Sequence, residues 1–539
     1  MQEKCFIKDV VPEKDESSHH VIAAIAENMV VPLSAQYVDN FKVTPLTRTS
    51  REGLDVYTNT ILFLLAACVS EIFPNAVFRA RHSVGNSVYC TVMQDGNPIA
   101  DIAQKLTIAL KALVAADVDI SIIPVSYRDA VDTLKKLNRH DELALLSHRN
   151  PPVVLLSACG SFRALSQSPL APRSGVLDLW EILPAGDGIL INLPSVENPD
   201  TLPDISELYE NGRYLEIFKK QLKRIKVTKI ETIGDLNNAI KNKRFDELVR
   251  ICETIHVKEL SRIADTISSR EPKVKLVLIA GPSSAGKTTT ATRICTQLRV
   301  NGMETLLLST DSYFVGDARN PRDENGNLDY ETIEAVDRNR LAEDINMLFA
   351  GKGVKLRRFD FQKHDGYDDK EETFLPEGGV VVLEGIHALN PLLTEHIADD
   401  TKFKIYINAL TQLVVDSCNR IPTSDTRLIR RLVRDAGFRG MSPLDTLRLW
   451  PNVEAGERKW IYPFQHTADA VFNSALDYEL AVLKPYAQQL LNEVKPWDSE
   501  FAETRRLSGL LHNVSIANSK AVPGNSILRE TIGGSQLDY

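Results

Sequence analysis

The chain has 539 residues, of which 43% are hydrophobic and 25% charged, with a net charge of -9. That length predicts two to four domains of ordinary globular composition. The acidic balance excludes a broad nucleic-acid or anionic-membrane surface and leaves room only for a local basic site.

The seven cysteines are scattered singly with no C-x-x-C. This is neither a zinc signature nor a disulfide framework, and it predicts a reducing, cytoplasmic setting. The opening MQEKCFIKDVVPEKDESSHH holds no apolar run of signal-peptide type. The most apolar helical stretch, residues 60–69, is too short to span a bilayer, so no membrane partner is expected.

In chain order, residues 1–45 are weakly patterned and read as irregular. EKDESSHH, residues 13–20, reads as a solvated loop, with His19 and His20 exposed rather than ligating. Helical apolar spacing covers residues 57–72 and stops at Phe73-Pro74-Asn75. Short strands follow at 77–80 and 88–92, then an amphipathic helix at 99–114. VVLLSA and GILINLP, within residues 153–194, are strand-like. Residues 203–270 are charge-rich with helical spacing; the basic run at 219–226 is interleaved with Leu and Ile and reads as the wet face of a connector.

The next stretch organises the rest. An apolar strand at 276–280 runs into GPSSAGKT, residues 281–288, and a helix that stops near Asn301-Gly302. This is G-x-x-x-x-G-K-[ST] in its strand-loop-helix setting, which predicts a nucleoside-triphosphate site. Gly281, Ser283, Ser284, Ala285 and Gly286 let backbone N–H groups approach phosphate oxygens at a helix N-terminus, with Thr289 on the first turn. Lys287 is expected on the β- and γ-phosphates of ATP, and the Thr288 hydroxyl on Mg²⁺.

Two further apolar strands end in carboxylates: residues 304–310 run into Asp311, and VVVL runs into Glu384. In a doubly wound parallel sheet, ligands sit outside the carboxyl ends of the strands, so these groups should converge on the loop. Asp311 is then the candidate for taking a proton from an acceptor hydroxyl, and Glu384 for holding Mg²⁺.

In SDTRLIRRLVRDAGFRG, Arg427, Arg430, Arg431 and Arg434 share one helical face with no acid among them, while Leu428, Ile429, Leu432 and Val433 cover the other. This stripe reads as a lid clamping a transferring phosphoryl group, so Arg430 and Arg434 join Asp311 and Lys287 as catalytic candidates. GFRG, residues 437–440, fits a mobile tip.

LSTDSYF, NLDYETIEAVD, RRFDFQKHD, VVVLEGIHAL and SDTRLIRRLVRD together resemble uridine-cytidine kinases of the phosphoribulokinase/uridine kinase superfamily, over residues 274–490. RKWIYPFQHTADAVFNSALDYELAVLK and the C-terminal SILRETIGGS further resemble long bacterial nucleoside kinases. The resemblance implies ATP-dependent transfer to a nucleoside 5′-hydroxyl in pyrimidine salvage. Asp311 is its base, Asp329 its ribose contact and His364 its nucleobase contact. It places Arg427 on the sugar and Arg439 on phosphate or base. Phe359 stands where uridine kinases carry a tyrosine, which leaves a stacking face and keeps the choice between uridine and cytidine open.

REGLDVYTNTILFLLAACVSEIFPNAVFRARHSVGNSVYC resembles the second N-terminal domain of threonyl-tRNA synthetases, which follows a small TGS domain. The H-x-x-x-H pair of that domain is missing; Thr58, Asn59 and Thr60 stand there, while His82 remains. The expected architecture is α/β. A P-loop, doubly wound kinase domain (272–495) follows a degenerate TGS-like segment (1–45), an α+β synthetase-like domain (46–200) and a helical connector (201–271), and precedes an extension (496–539). Two alternatives stay open: a kinase of another small alcohol, phosphoribulokinase- or pantothenate kinase-like, and a nucleotide-switched RNA-binding or regulatory protein. A homo-oligomer is compatible with the sequence.

Overall fold

The computed structural model describes residues 5–38, 40–93, 98–205, 223–323, 326, 328–360, 363 and 365–537. The chain packs into two compact units: residues 1–248, 411–426 and 480–517 form the first, and residues 249–410, 427–479 and 518–539 the second.

The first unit is α+β. Its N-terminal part is a small antiparallel sheet rather than an irregular segment. Strands β1 (Ala23–Ala26), β2 (Met29–Val31) and β3 (Val43–Leu46) pair in the order β2-β1-β3. Ile7, Val21, Ala24, Ala26 and Leu33 close its own small core. Strands this short carry too few alternations to show a period, and Pro45 is tolerated because β3 is an edge strand. His19 is buried rather than exposed: its ring bonds Asp200 at 2.8 Å and faces Asp15 at 3.3 Å.

Helix α1 (Arg51–Ile72) begins earlier than its apolar spacing suggests, because Ser50 caps it by accepting from the Gly53 N–H. The whole helix, unlike residues 60–69 alone, is long and apolar enough to cross a membrane, but 72% of its apolar window is buried inside the protein. Ile61, Leu62, Leu64 and Leu65 fill the core of this unit. Strands β4 (Val77–Val84) and β5 (Ser87–Met93) precede helix α2 (Ile99–Ala116); β5 and α2 lie within two residues of the expected bounds, while β4 runs four residues past its expected end. Strands β6 (Ile120–Ser126), β7 (Val153–Cys159) and β8 (Phe162–Leu165) form a second antiparallel sheet. Strands β9 (Glu181–Ala185) and β10 (Gly188–Asn192) join β4 and β5 in a further antiparallel sheet, ordered β4-β5-β10-β9. His82 is buried with its ring 5.6 Å from Tyr89, and burial lowers its pKa to about 3. A histidine so placed stays neutral, as a structural group would. The basic run at 219–226 lies partly outside the described residues.

The second unit is the expected parallel α/β fold. Helix α3 (Phe245–Ser268) leads into β11 (Leu276–Ala280), α4 (Lys287–Val300), β12 (Thr305–Ser309), α5 (Arg338–Phe349) and the hairpin β13 (Arg357–Asp360) with β14 (Asp365–Asp368). Strands β15 (Val380–Glu384), β16 (Lys402–Asn408) and β17 (Ala470–Asn473) complete an all-parallel sheet ordered β12-β15-β11-β16-β17. LVLIA and VVVL are apolar at every position because both faces are covered. Leu276, Leu278 and Ala280 meet Leu341, Ile345 and Leu348 of α5 on one face. Val277 and Ile279 meet Ile263 and Ile267 of α3 and Ile294 and Leu298 of α4 on the other.

Candidate active site

Parallel register puts the strand ends level. Ile279 of β11 and Ser309 of β12 both stand opposite Glu384 of β15. The loop leaving each strand therefore opens onto one crevice at the carboxyl edge of the sheet.

The loop after β11 wraps the start of α4. Gly286 caps the helix at φ +82°, in the left-handed region that favours glycine. A Cβ on Gly281 would collide with the Ile407 carbonyl, so that position also needs glycine. Ser284 Oγ is buried and makes no hydrogen bond among the described residues. A cradle of N–H groups at a helix N-terminus with an orphaned buried hydroxyl fits a phosphate group. Lys287 Nζ donates to the Pro282 carbonyl at 3.1 Å. Burial lowers its pKa, while the carboxylates of Glu384, Asp311 and Glu530 oppose that shift.

Asp311 sits in the 3₁₀ turn Thr310–Tyr313 directly after β12, half-buried, accepting from the Thr310 hydroxyl at 3.4 Å. Glu384 is buried and accepts from the Thr288 hydroxyl at 3.3 Å. Burial and then the charge of Asp311 push its pKa up to about 7, against the pull of Lys287. A hydroxyl and a carboxylate this close beside a phosphate cradle are a donor set that suits Mg²⁺.

The arginine stripe on helix α6 (Thr423–Arg434) divides. No acid lies between the four arginines, but Asp435, one turn beyond Arg431, meets it at 3.2 Å, and other acids reach the stripe from other elements. Arg427 is gripped by Glu457 of helix α7 (Pro443–Trp460) and donates to the Ser283 carbonyl at 3.1 Å. The same Glu457 carboxylate accepts from the Ser283 N–H at 3.0 Å and the Tyr462 hydroxyl at 2.9 Å. Arg430 is fully buried; it donates to Glu479 at 2.6 Å, to the Ser474 carbonyl at 3.0 Å and to the Ser284 carbonyl at 3.3 Å. Arg427 and Arg430 thus brace the loop from behind. The resemblance put Arg427 on the sugar; in this structure its guanidinium is engaged with Glu457 and the loop.

Arg434 is half-buried and bonds Asp435 at 2.9 Å; it is one of the charges acting on Lys287. Arg431 donates to the Ser283 hydroxyl at 2.8 Å. A π-helical turn, Asp435–Arg439, follows, and the exposed Arg439 leans on Asp435 at 3.7 Å. Such a widened turn is common at functional sites.

On the acceptor side, Asp329 Oδ1 caps the Glu331 N–H at 2.9 Å. Phe359 packs edge-on against Phe314 at 5.6 Å and lies 6.4 Å from Tyr330. His364 lies outside the described residues. Motif and spacing do not single out Glu331, Glu457, His387 or Glu530. Burial pushes the Glu331 carboxyl up to about 7, with Arg431 opposing, and its charge also feels Lys287 and Asp311. His387 is buried in the EGIHAL stretch, and burial lowers its pKa to about 4. Glu331 lies two residues beyond Asp329 in an acid-rich segment, the one sequence signal that could have found it. The other three became visible only through the fold.

Residues 276–481 match the family described as "Phosphoribulokinase / Uridine kinase family". The chain is 27% identical over 225 residues to the uridine kinase of Lactobacillus helveticus, covering 41% of this chain and 97% of that one. It is 30% identical over 167 residues to the uridine kinase of Staphylococcus aureus, covering 31% of this chain and 71% of that one. Among solved structures, a possible uridine kinase from Bacillus stearothermophilus aligns at 20% identity and TM-score 0.28, covering 40% of this chain and 98% of that one.

Proposed function

The chain belongs, through residues 276–481, to the phosphoribulokinase/uridine kinase family and is a phosphotransferase, and from that premise we propose that it is an ATP-dependent nucleoside kinase. The acceptor is the 5′-hydroxyl of a pyrimidine nucleoside, uridine or cytidine, and the product is the 5′-monophosphate of pyrimidine salvage in the cytoplasm. One observation carries this reading: Asp311 stands at the carboxyl edge of the sheet, its charge acting on both Lys287 and Glu384.

In this reading Gly281 to Thr289 bind the triphosphate, and Lys287 holds its terminal phosphates. Thr288 and Glu384 would hold Mg²⁺, which neutralises charge on the transferring phosphoryl group. Asp311 orients the nucleoside hydroxyl and takes its proton. Asp329, Phe359 and His364 hold the nucleoside, and Arg434, with Arg439 beyond it, meets the phosphoryl group. Arg427 and Arg430 keep the loop in shape. A panel of nucleosides and other small alcohols, assayed for phosphoryl transfer with ATP and Mg²⁺, tests the proposal. Transfer to uridine or cytidine is expected; transfer only to a sugar phosphate or another alcohol would reject it.

For residues 46–200 we propose a synthetase-like module without editing chemistry, preceded by a TGS-like sheet. Where the H-x-x-x-H pair would stand, Thr60 donates to the Val56 carbonyl at 2.6 Å and accepts from the Ala171 N–H at 2.9 Å, and Asn59 donates to Ser168 at 3.2 Å. These groups serve packing. Full-length protein incubated with mischarged tRNA should release no amino acid, and measurable deacylation would overturn this reading.

A further inference from the structure

The last residues, 518–539, belong to the same unit as the phosphate loop. Ser526 is fully buried and donates to Glu253 at 2.6 Å, and Tyr478 donates to the same carboxylate at 2.7 Å. Ile527 joins the core beneath β11 and α4. Its Cγ2 lies 2.5 Å from where a Cβ on Gly286 would stand, so the segment is seated directly on the loop. The short helix α8 (Arg529–Ile532) follows. From it the Glu530 carboxylate accepts from the Thr289 hydroxyl at 2.8 Å, and its charge acts on Lys287 and Glu384. Beyond the helix, Gly533 lies against the ring of Phe438 at the tip of the arginine segment.

The segment therefore bridges the loop and the lid. Between them lies a narrow cleft lined by Ser284, Gly286, Arg430, Arg434 and Glu530, with Ile527 and Thr531 at its edge. The occupant of the loop's hydroxyl is an anion. A site built to attract phosphate attracts a carboxylate for the same reason, and the two cannot share it.

We propose that residues 526–534 form a strap across the phosphate loop, in which the Glu530 carboxylate stands in for a nucleotide phosphate and is displaced when the phosphate donor binds. The proposal rests on the nucleotide reading of the loop. Glu530 then sets donor affinity: it satisfies Thr289 and balances Lys287 in the nucleotide-free chain, and every donor must compete with it. The anchors Ser526 and Ile527 stay in the core, so displacement involves the segment from Arg529 onward.

The test uses the full-length chain and a non-hydrolysable ATP analogue with Mg²⁺, without nucleoside. Glu530→Gln keeps the shape and an acceptor for Thr289 but removes the charge. Calorimetric titration should show the analogue binding on the order of tenfold more tightly to this variant, the scale of one like-charge contact in a partly screened site. In the unaltered chain, amide hydrogen exchange at residues 529–534 should speed up when the analogue is added. Equal or weaker binding by Glu530→Gln, or exchange there that slows or stays the same, would overturn the strap while leaving the nucleotide reading intact. If the unaltered chain binds no analogue at all, both fall together. The exchange measurement needs no substitution and decides the question even where Glu530→Gln folds poorly.

Discussion

In the proposed function, Asp311 is the residue on which the chemistry turns. A nucleoside hydroxyl is a poor nucleophile, and its proton must leave as the phosphoryl group arrives. Asp311→Asn preserves shape but accepts no proton. It should lower kcat by at least about a hundredfold with ATP binding nearly unchanged. Thermal stability should stay within about 1 kcal/mol, because a half-exposed crevice carboxylate packs little. Steady-state kinetics beside a thermal melt checks both; retention of most activity would move the base elsewhere, to Asp329 first. Asp416 answers differently because it is buried. Its Oδ1 accepts from the Cys418 and Asn419 N–H groups at 3.0 Å each. Burial, then the Glu142 charge, raise its pKa from 3.8 to about 7. Between those values the unfolded chain has lost a proton that the folded chain keeps. Stability from this group is therefore full below pH 3.8 and is lost as pH rises through about 7. Asp416→Asn should gain stability relative to the unaltered chain at pH 8 compared with pH 5. Urea denaturation at the two pH values measures that gain, and an equal difference at both would refute the assignment.

At the scale of an element, helix α6 shows one stripe performing two tasks. Its spacing puts four arginines on one face, but the acids that meet them come from α7, from Glu479 and from Asp435. Arg430→Ala would leave the Glu479 carboxylate buried without its guanidinium, a change that typically costs about 3–5 kcal/mol. It should appear first as a lowered melting temperature. Arg434→Ala should lower the melt less than Arg430→Ala, because Arg431 still faces the buried Asp435 carboxylate at 3.2 Å. That variant should lower kcat by tens-fold or more, the effect of removing one preorganised charge. If Arg434→Ala raises only the nucleoside KM, it is no part of the phosphoryl clamp.

For the whole molecule, the path of the chain matters more than its order. Residues 411–426 and 480–517 pack with the first unit although the former lie between β16 and β17 and the latter follow β17 in sequence. Val414 shows how: its N–H donates to the Glu231 carbonyl at 3.0 Å, and its own carbonyl accepts from the Ile233 N–H at 2.9 Å. A fragment of residues 272–495, the kinase domain as sequence alone would cut it, takes these segments without their partners. Val414, Val415, Ile421, Val482 and Leu483, all buried in the full chain, would be exposed in it. The fragment should aggregate or melt well below the full chain. A soluble, cooperatively folded fragment with full-chain stability would show that residues 411–426 and 480–495 need no partners from the rest of the first unit.

The parallel sheet, the phosphate loop and the carboxylates after β12 and β15 were legible because each is a local pattern. A buried strand is apolar at every position, a phosphate loop needs glycine at fixed places, and strand ends fall where the apolar runs stop. Helix α2 was legible through its period to within two residues, while α1 was legible from residue 57 on, six residues after its start. The small N-terminal sheet was not, since three or four residues cannot establish alternation against loop chemistry. Nor were Glu457 and Glu479 as partners of the arginines; they lie on other elements, and charge complementarity across a fold leaves no trace in spacing. Asp435, four residues after Arg431, was within reach of spacing alone. Glu530 is the furthest case: more than two hundred residues separate it from Thr289, and only tertiary packing of Ser526 and Ile527 delivers its carboxylate there. The sequence by itself determined the chemistry on offer at the loop, because that depends on backbone conformation and residue type within one turn. Which side chains face that loop, which merely hold it and which cover it was decided by the tertiary structure, because those contacts join residues that the chain keeps far apart.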